Sequence, residues 1–282
     1  LVTHFFIRDG EVSAVDGVSL HVNKGETVAI VGESGCGKSV TALSMLRLIS
    51  SPPGKILSGN VIFDGKDIIK MKPNQLRKIR GKGIALILQE PMSSLNPSWT
   101  IGRQIMEAVE LNQGLKGKEV RDKALEMLGL VRIPAPESRM NNYPHELSGG
   151  MKQRVMIAIA LACRPKVLIA DEPTASLDVT IQAQILELMK QLKEEIGTTL
   201  ILITHDLGVV AEMADRVTIM YAGQVMENAD VFSIFHNPAH PYTNGIVRTV
   251  MDLKDKNSRL EVIPGDPPNL LKPPSGCRFN PR

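Results

Sequence analysis

Three observations predict an α/β fold built on a mostly parallel sheet. Strand-length apolar runs, "ETVAIV", "KVLIAD", "TTLILIT" and "RVTIMYAG", alternate with segments of helical period. The first of these strands leads into a glycine-rich loop, "GESGCGKS" at Gly32–Ser39, and then a helix. From about residue 92 to about residue 163, helical periodicity displaces nearly all strand signal, which marks an inserted helical subdomain.

Taken in order, residues 1–31 alternate as strands do, in "LVTHFF", "VSAVDGVSLHV" and "ETVAIV". Apolar spacing of three and four predicts a helix over Ser39–Ile49, ended by the breaker "SSPPG". "SGNVIFDG" reads as a strand with a turn on each side, and "GIALIL" as a short buried strand. "IGRQIMEAVEL", "KEVRDKALEMLGLV" and "GGMKQRVMIAIALAC" are helical in period. After about residue 230, "NPAHPYT" and "IPGDPPNLLKPPSGCRFNPR" are rich in proline and poor in periodicity. They predict an extended appendage docked on the core. There is no internal repeat.

Bulk properties exclude several classes. Hydrophobic residues make up 43% and charged residues 22%, the balance of a globular protein rather than a disordered one. A net charge of +3 gives no argument for a nucleic-acid partner. No apolar run approaches the roughly 18 residues of a membrane span. No charged-then-apolar leader opens the chain, so secretion is not expected. The three cysteines, Cys36, Cys163 and Cys277, are far apart and odd in number, which argues against a disulfide framework and for a reducing compartment.

"GESGCGKS" matches GxxxxGK[ST] in the context that the match requires, strand before and helix after. Its glycines let backbone N–H groups turn onto phosphate oxygens, and the helix dipole favours the anion. Lys38 then reaches the β- and γ-phosphates, and Ser39 places its hydroxyl on Mg²⁺. Cys36 reads as a small residue turned away from the chemistry. In "VLIADEP" an apolar strand ends in Asp171, suited to a metal, and Glu172, suited to polarising an attacking water. "TLILITHD" repeats the design and delivers His205 at a strand end, where it can sense a γ-phosphate. A second anion-binding element follows from "HELSGGMKQR": Ser148, Gly149 and Gly150 open a helix whose exposed N–H groups attract a negative charge.

Together these motifs resemble the ATP-binding cassette (ABC) ATPases over essentially the whole chain. The resemblance implies a P-loop NTPase fold with a parallel-sheet core, an N-terminal antiparallel β subdomain, the inserted helical subdomain and a C-terminal extension. It implies a nucleotide-binding domain over residues 1–230 and an extension over 231–282. ATP and Mg²⁺ are the implied ligands. Gly32, Ser34, Gly35, Cys36, Gly37, Lys38, Ser39 and Val40 are the implied nucleotide contacts, and Ser39, Gln89 and Asp171 the implied metal ligands. Glu172, His205 and Lys38 are the implied catalytic groups. "LSGGMKQ" resembles the family signature, so Ser148, Gly149 and Gly150 would hold the γ-phosphate of ATP bound to a different subunit. "SLD", ending at Asp178, resembles the loop that crosses that dimer interface, and Gln89 resembles the glutamine that couples the site to the helical insertion. An aromatic near the N-terminus is expected to stack on adenine. Phe6 is the choice, although strand alternation does not separate it from Phe5.

"QEPMSSLNP", "NPAHPYTNGIV" and "IPGDPPNLLKPPSGCRFNPR" narrow the resemblance to the ATP-binding subunits of oligopeptide and dipeptide permeases, and to the D-type subunit. That resemblance implies a second cassette (a related F-type chain or an identical copy), two permease subunits, an extracytoplasmic binding protein and a place on the cytoplasmic face of the membrane. It also implies a longer native extension, with further cysteines that in some members ligate an iron–sulfur cluster. Cys277 alone does not hold such a cluster. An importer of nickel or another small solute shares these marks. A non-transport ABC ATPase would carry two cassettes in one chain or a long coiled-coil insertion, and a regulatory ATP-binding module would lack Glu172 or His205.

Overall fold

The computed structural model describes residues 1–90, 94–175, 177–252 and 263–282. The chain divides into two compact units, Leu1–Lys72 with Leu202–Arg282, and Pro73–Ile201.

The first unit opens with strands β1 (Val2–Ile7) and β2 (Gly10–Val15), an antiparallel hairpin. β3 (Thr27–Val31) is buried at all five residues and runs into the phosphate loop and helix α1 (Lys38–Met45). β4 (Gly54–Ser58) pairs antiparallel with β1, giving a three-stranded sheet in the order β2-β1-β4. β5 (Ile62–Phe63) and β6 (Lys66–Asp67) form a small ribbon. β9 (Thr199–Thr204) carries the chain from the second unit into the first, where it lies beside β3. Helix α8 (Leu207–Met213) follows. β10 (Arg216–Tyr221) then runs parallel to β3, with Val217 opposite Ala29 and Ile219 opposite Val31. β11 (Gln224–Asp230) closes this sheet, antiparallel to β10. Helices α9 (Val231–His236) and α10 (Pro241–Asp252) complete the unit.

The second unit holds α2 (Pro73–Ile79) and the parallel pair β7 (Ile84–Ile87) and β8 (Val167–Asp171), with Ile84 opposite Val167. Between those strands come α3 (Ile101–Gln113), α4 (Lys118–Leu130), the short α5 (Pro136–Arg139) and α6 (Gly149–Ala162). α3, α4 and α6 pack on one another, and their Ile105, Val109, Leu128 and Ile157 are fully buried. α7 (Val179–Ile196) follows β8 and stops at Gly197, which takes the left-handed conformation (φ 69°) that a helix end favours. Among the described residues no helix is long and apolar enough to cross a membrane.

Four expectations need correction. The strand drawn through "VSAVDGVSLHV" ends at Val15, because the Asp16 N–H leaves the hairpin to donate to the Gly223 carbonyl at 2.8 Å. The helix expected over Ser39–Ile49 ends at Met45, because Arg47 turns left-handed (φ 53°) and the Leu48 N–H closes back on the Leu43 carbonyl at 2.8 Å. "SGNVIFDG" supplies the last residue of β4 and the two-residue strand β5, while β4 starts inside the predicted breaker. The appendage expected after residue 230 is not extended from its start. Asp230 caps α9 by accepting from the Ser233 N–H at 2.9 Å, and Pro241, in the proline-rich "NPAHPYT", is the first residue of α10.

Residues 263–282 join the core of the first unit. Phe279 meets Tyr221 edge-on at 5.4 Å and Tyr242 at 5.3 Å, and the two tyrosine rings lie 4.6 Å apart. Arg278, 3% exposed, donates to Asp16 Oδ2 at 2.5 Å, to Ser13 Oγ at 3.3 Å and to the Ala222 carbonyl. Replacing a buried guanidinium strands several acceptors at once, although the Asp16 side chain is 37% exposed and water recovers part of that loss. Arg278→Ala is expected to lower stability by about 2–3 kcal/mol, read as a lower urea midpoint with an unchanged slope.

Candidate functional site

In the first unit the phosphate loop is shaped by close backbone approach. A side chain at Gly32 would strike the Met220 carbonyl and come within 2.7 Å of Cys36 Sγ. Gly37, at φ 102°, has the Ala14 carbonyl where a Cβ would stand. Gly35 is also left-handed, at φ 78°. Gly32 and Gly37 are therefore glycine for space, and Gly35 and Gly37 for conformation. Lys38, 5% exposed, folds back across the loop and donates to the carbonyls of Gly32 at 2.7 Å and Glu33 at 3.0 Å. Ser34 and Gly35 are exposed, and Ser39 and Val40 are half-buried. Cys36 is buried, and its burial pushes the thiol pKa up, with Lys38 opposing only in part. A buried thiol held protonated is a poor nucleophile and serves as a small packing residue.

His205 follows β9 and is exposed. With Val31, Gly32, Glu33 and Tyr242 it lines a cavity of about 300 Å³. Asp206, the next residue, caps α8 by accepting from the Gly208 N–H at 2.8 Å, which fixes the turn that presents the histidine. Phe6 is 48% exposed on β1, whereas a Cβ at Gly54 would stand 2.9 Å from the Phe5 ring.

In the second unit Asp171 is the last residue of β8 and is 3% exposed. Glu172 has a left-handed backbone (φ 45°), uncommon for a residue with a side chain and costly enough to need a reason. Gln89, past the end of β7, donates from Nε2 to Glu172 Oε2 at 2.8 Å. The glutamine therefore meets the proposed base directly, a contact its sequence motif did not reveal. Its carbonyl oxygen remains as a donor atom for a cation. The Gln89 carbonyl and the Asp171 carboxylate of this unit, like the Ser39 hydroxyl of the first, are hard oxygen donors of the kind that Mg²⁺ takes.

Ser148 caps α6, its Oγ accepting from the Met151 N–H at 3.4 Å, and Gly149 and Gly150 form the first turn. Asp178 likewise caps α7, accepting from the Ile181 N–H at 2.9 Å. The two motifs pack together: a Cβ at Gly150 would lie 2.7 Å from Ile181 Cγ2, and one at Gly149 3.6 Å from Leu177 Cδ2. Ser176 of "SLD" lies outside the described residues, as do residues 91–93 of "QEPMSSLNP".

Sequence reading missed Glu33, Tyr242 and Arg282. Glu33 occupies a variable position of the loop motif, and its N–H donates to Tyr242 Oη at 3.2 Å. Its carboxylate accepts from Arg282 Nη1 at 3.0 and 2.9 Å. Burial, reinforced by the Glu33 charge, pushes the Tyr242 phenol up. Burial would lower the Arg282 pKa, but its bonds to Tyr221 and Glu33 outweigh that and hold it above its ordinary value. Cys277 is exposed, with Sγ 3.6 Å from His240 Nε2. One thiol does not fit a four-cysteine cluster, and among the described residues no group of three or more His, Cys, Asp or Glu is placed to hold a metal.

Comparison with known proteins shows the family. Residues 15–175 match the ABC transporter family, and residues 226–282 match the oligopeptide/dipeptide transporter C-terminal region. The chain is 52% identical over 282 residues to the oligopeptide transport ATP-binding protein AppD of Bacillus subtilis, covering 100% of this chain and 86% of that protein. It is 48% identical to the dipeptide transport ATP-binding protein DppD of Escherichia coli, again over 282 residues, with 100% and 86% covered. A solved dimeric ATP-binding cassette, in a post-hydrolysis state with ADP and Pi, superposes with a TM-score of 0.72 at 31% identity, over 82% of this chain and 96% of that one. The chain belongs to the ABC transporter family, as one of its ATP-binding, ATP-hydrolysing subunits.

Proposed function

We propose that this chain powers the uptake of di- and oligopeptides from the cytoplasmic face of the cell membrane. The nucleotide-binding domain spans residues 1–230 and the transporter-specific extension residues 231–282. The working partners are a second cassette (a related F-type chain rather than an identical copy), two permease subunits and an extracytoplasmic solute-binding protein. The match of residues 226–282 to the oligopeptide/dipeptide transporter C-terminal region supports the cargo.

The observation that carries the chemistry is the 2.8 Å bond from Gln89 to Glu172. It anchors one oxygen of the carboxylate that takes a proton from water. Gly32 and residues 34–40 bind the triphosphate of ATP, and Phe6 stacks on its adenine, a role that its exposure supports. Ser39, Gln89 and Asp171 would supply oxygens to Mg²⁺, which when bound would offset phosphate charge. Glu172 takes a proton as the water oxygen bonds to the γ-phosphorus. The bond from that phosphorus to the bridging oxygen breaks, and ADP leaves. Lys38 and His205 stabilise the charge on the group in transit. Ser148, Gly149 and Gly150 complete the partner's site in the same way that the partner's signature completes this one, and Asp178 lies at the crossing between them.

The test is transport by the reconstituted complex. ATP-dependent accumulation of labelled di- and oligopeptides, with none of Ni²⁺, is expected. Accumulation of Ni²⁺ alone would replace the cargo and leave the ATPase assignment standing.

A further inference from the structure

The phosphate loop contains a single acidic residue, Glu33, in the stretch that receives a polyanion. An uncompensated carboxylate there would repel phosphate. The fold compensates it from 249 positions away: Arg282 Nη1 lies 3.0 and 2.9 Å from the two carboxylate oxygens. Its own segment sets the guanidinium in place, Nε donating to the Pro264 carbonyl at 2.7 Å and Nη2 to the Ile263 carbonyl at 3.2 Å. Tyr242, fully buried, accepts from the Glu33 N–H at 3.2 Å. The Glu33 carbonyl in turn accepts from Lys38 Nζ at 3.0 Å. A continuous line of contacts therefore joins the C-terminal region to the loop lysine.

We propose that Arg282 is a positioning residue of the nucleotide site: it neutralises Glu33 and, with Tyr242, fixes the first turn of the phosphate loop for a polyphosphate. The C-terminal region thus sets nucleotide affinity as well as packing on the core. This inference rests on the reading of residues 32–40 as the nucleotide loop.

The test is the ATPase kinetics of the complete reconstituted transporter carrying the full-length chain. Arg282→Ala is expected to raise the KM for ATP about fivefold at low salt with kcat within about twofold, an effect that shrinks at about 0.5 M salt as screening replaces the lost cation. Arg282→Lys, which keeps a charge, is expected to stay near wild type. Adding Glu33→Gln to Arg282→Ala removes the unmasked carboxylate and is expected to restore KM to within about twofold of wild type. An unchanged KM in Arg282→Ala overturns the proposal, and so does a raised KM that persists in the double variant, since loss of packing alone would not be rescued by removing a charge. Lys38→Ala is the control: wild-type KM there would remove the nucleotide reading itself. Loss of binding in Lys38→Ala beside a normal Arg282→Ala would sink only the present inference.

Discussion

Glu172→Gln is expected to bind ATP with an affinity within about threefold of wild type while its turnover falls by at least about 100-fold, the range that a positioned general base supplies. The substitution is nearly isosteric, and the new amide still offers a carbonyl oxygen to Gln89 Nε2, so the 2.8 Å contact survives. It removes only the ability to take a proton from water. Nucleotide should then persist between the paired cassettes, and the variant should accumulate as the closed dimer. Steady-state ATPase rates, equilibrium ATP binding and size-exclusion chromatography with ATP separate these effects. A variant that hydrolyses at the normal rate would remove Glu172 from its role and leave its left-handed backbone without a functional reason.

Lys38→Ala is expected to act one step earlier, weakening ATP binding by about 100-fold or more. A charge-assisted bond to phosphate contributes roughly twice what a neutral one does, and the low dielectric of a buried setting strengthens it further. Lys38 is already desolvated, at 5% exposure, and held by the carbonyls of Gly32 and Glu33. The ammonium reaches phosphate by exchanging acceptors rather than by shedding water. Filter binding of labelled ATP reads the loss. A thermal melt within a few degrees of wild type is expected alongside it, because the glycine geometry of the loop does not depend on the lysine.

The residues carrying local signals were legible in the sequence. Lys38, Asp171, Glu172, His205 and Ser148 each stand where a strand ends or a helix begins, and motif spacing and periodicity report such junctions directly. The contacts that were not legible join distant positions. Glu33 and Arg282 are 249 residues apart and Glu33 and Tyr242 are 209 apart, and neither pairing leaves a pattern in its neighbourhood. The early end of β2 has the same origin, since it depends on a bond from Asp16 to Gly223. Short helices were lost for a different reason. The six residues of α9 span less than two turns, too few to show a period, and the proline that starts α10 looks like a breaker until its position is known. Alternation along β1 could not rank Phe5 and Phe6, because a strand shows two faces and its sequence does not say which one is covered. In the structure Phe6 is the more exposed of the two. In the sequence Gly149 and Gly150 read as openings for an anion, but their packing on Leu177 and Ile181 is a second constraint that only the tertiary structure displays.

At the centre of this account is a nucleotide pocket completed by a neighbouring cassette. The most direct measurement is the ATPase rate of the assembled transporter carrying Ser148→Glu, with ATP binding to the variant chain measured beside it. Glutamate would set a negative charge at the opening of α6, where the other cassette's γ-phosphate is expected, and would leave this chain's own phosphate loop untouched. The predicted result is ATP binding within about threefold of wild type and hydrolysis reduced by at least about 100-fold, as for the loss of oriented donors to a transferring group. Hydrolysis at the wild-type rate would contradict it.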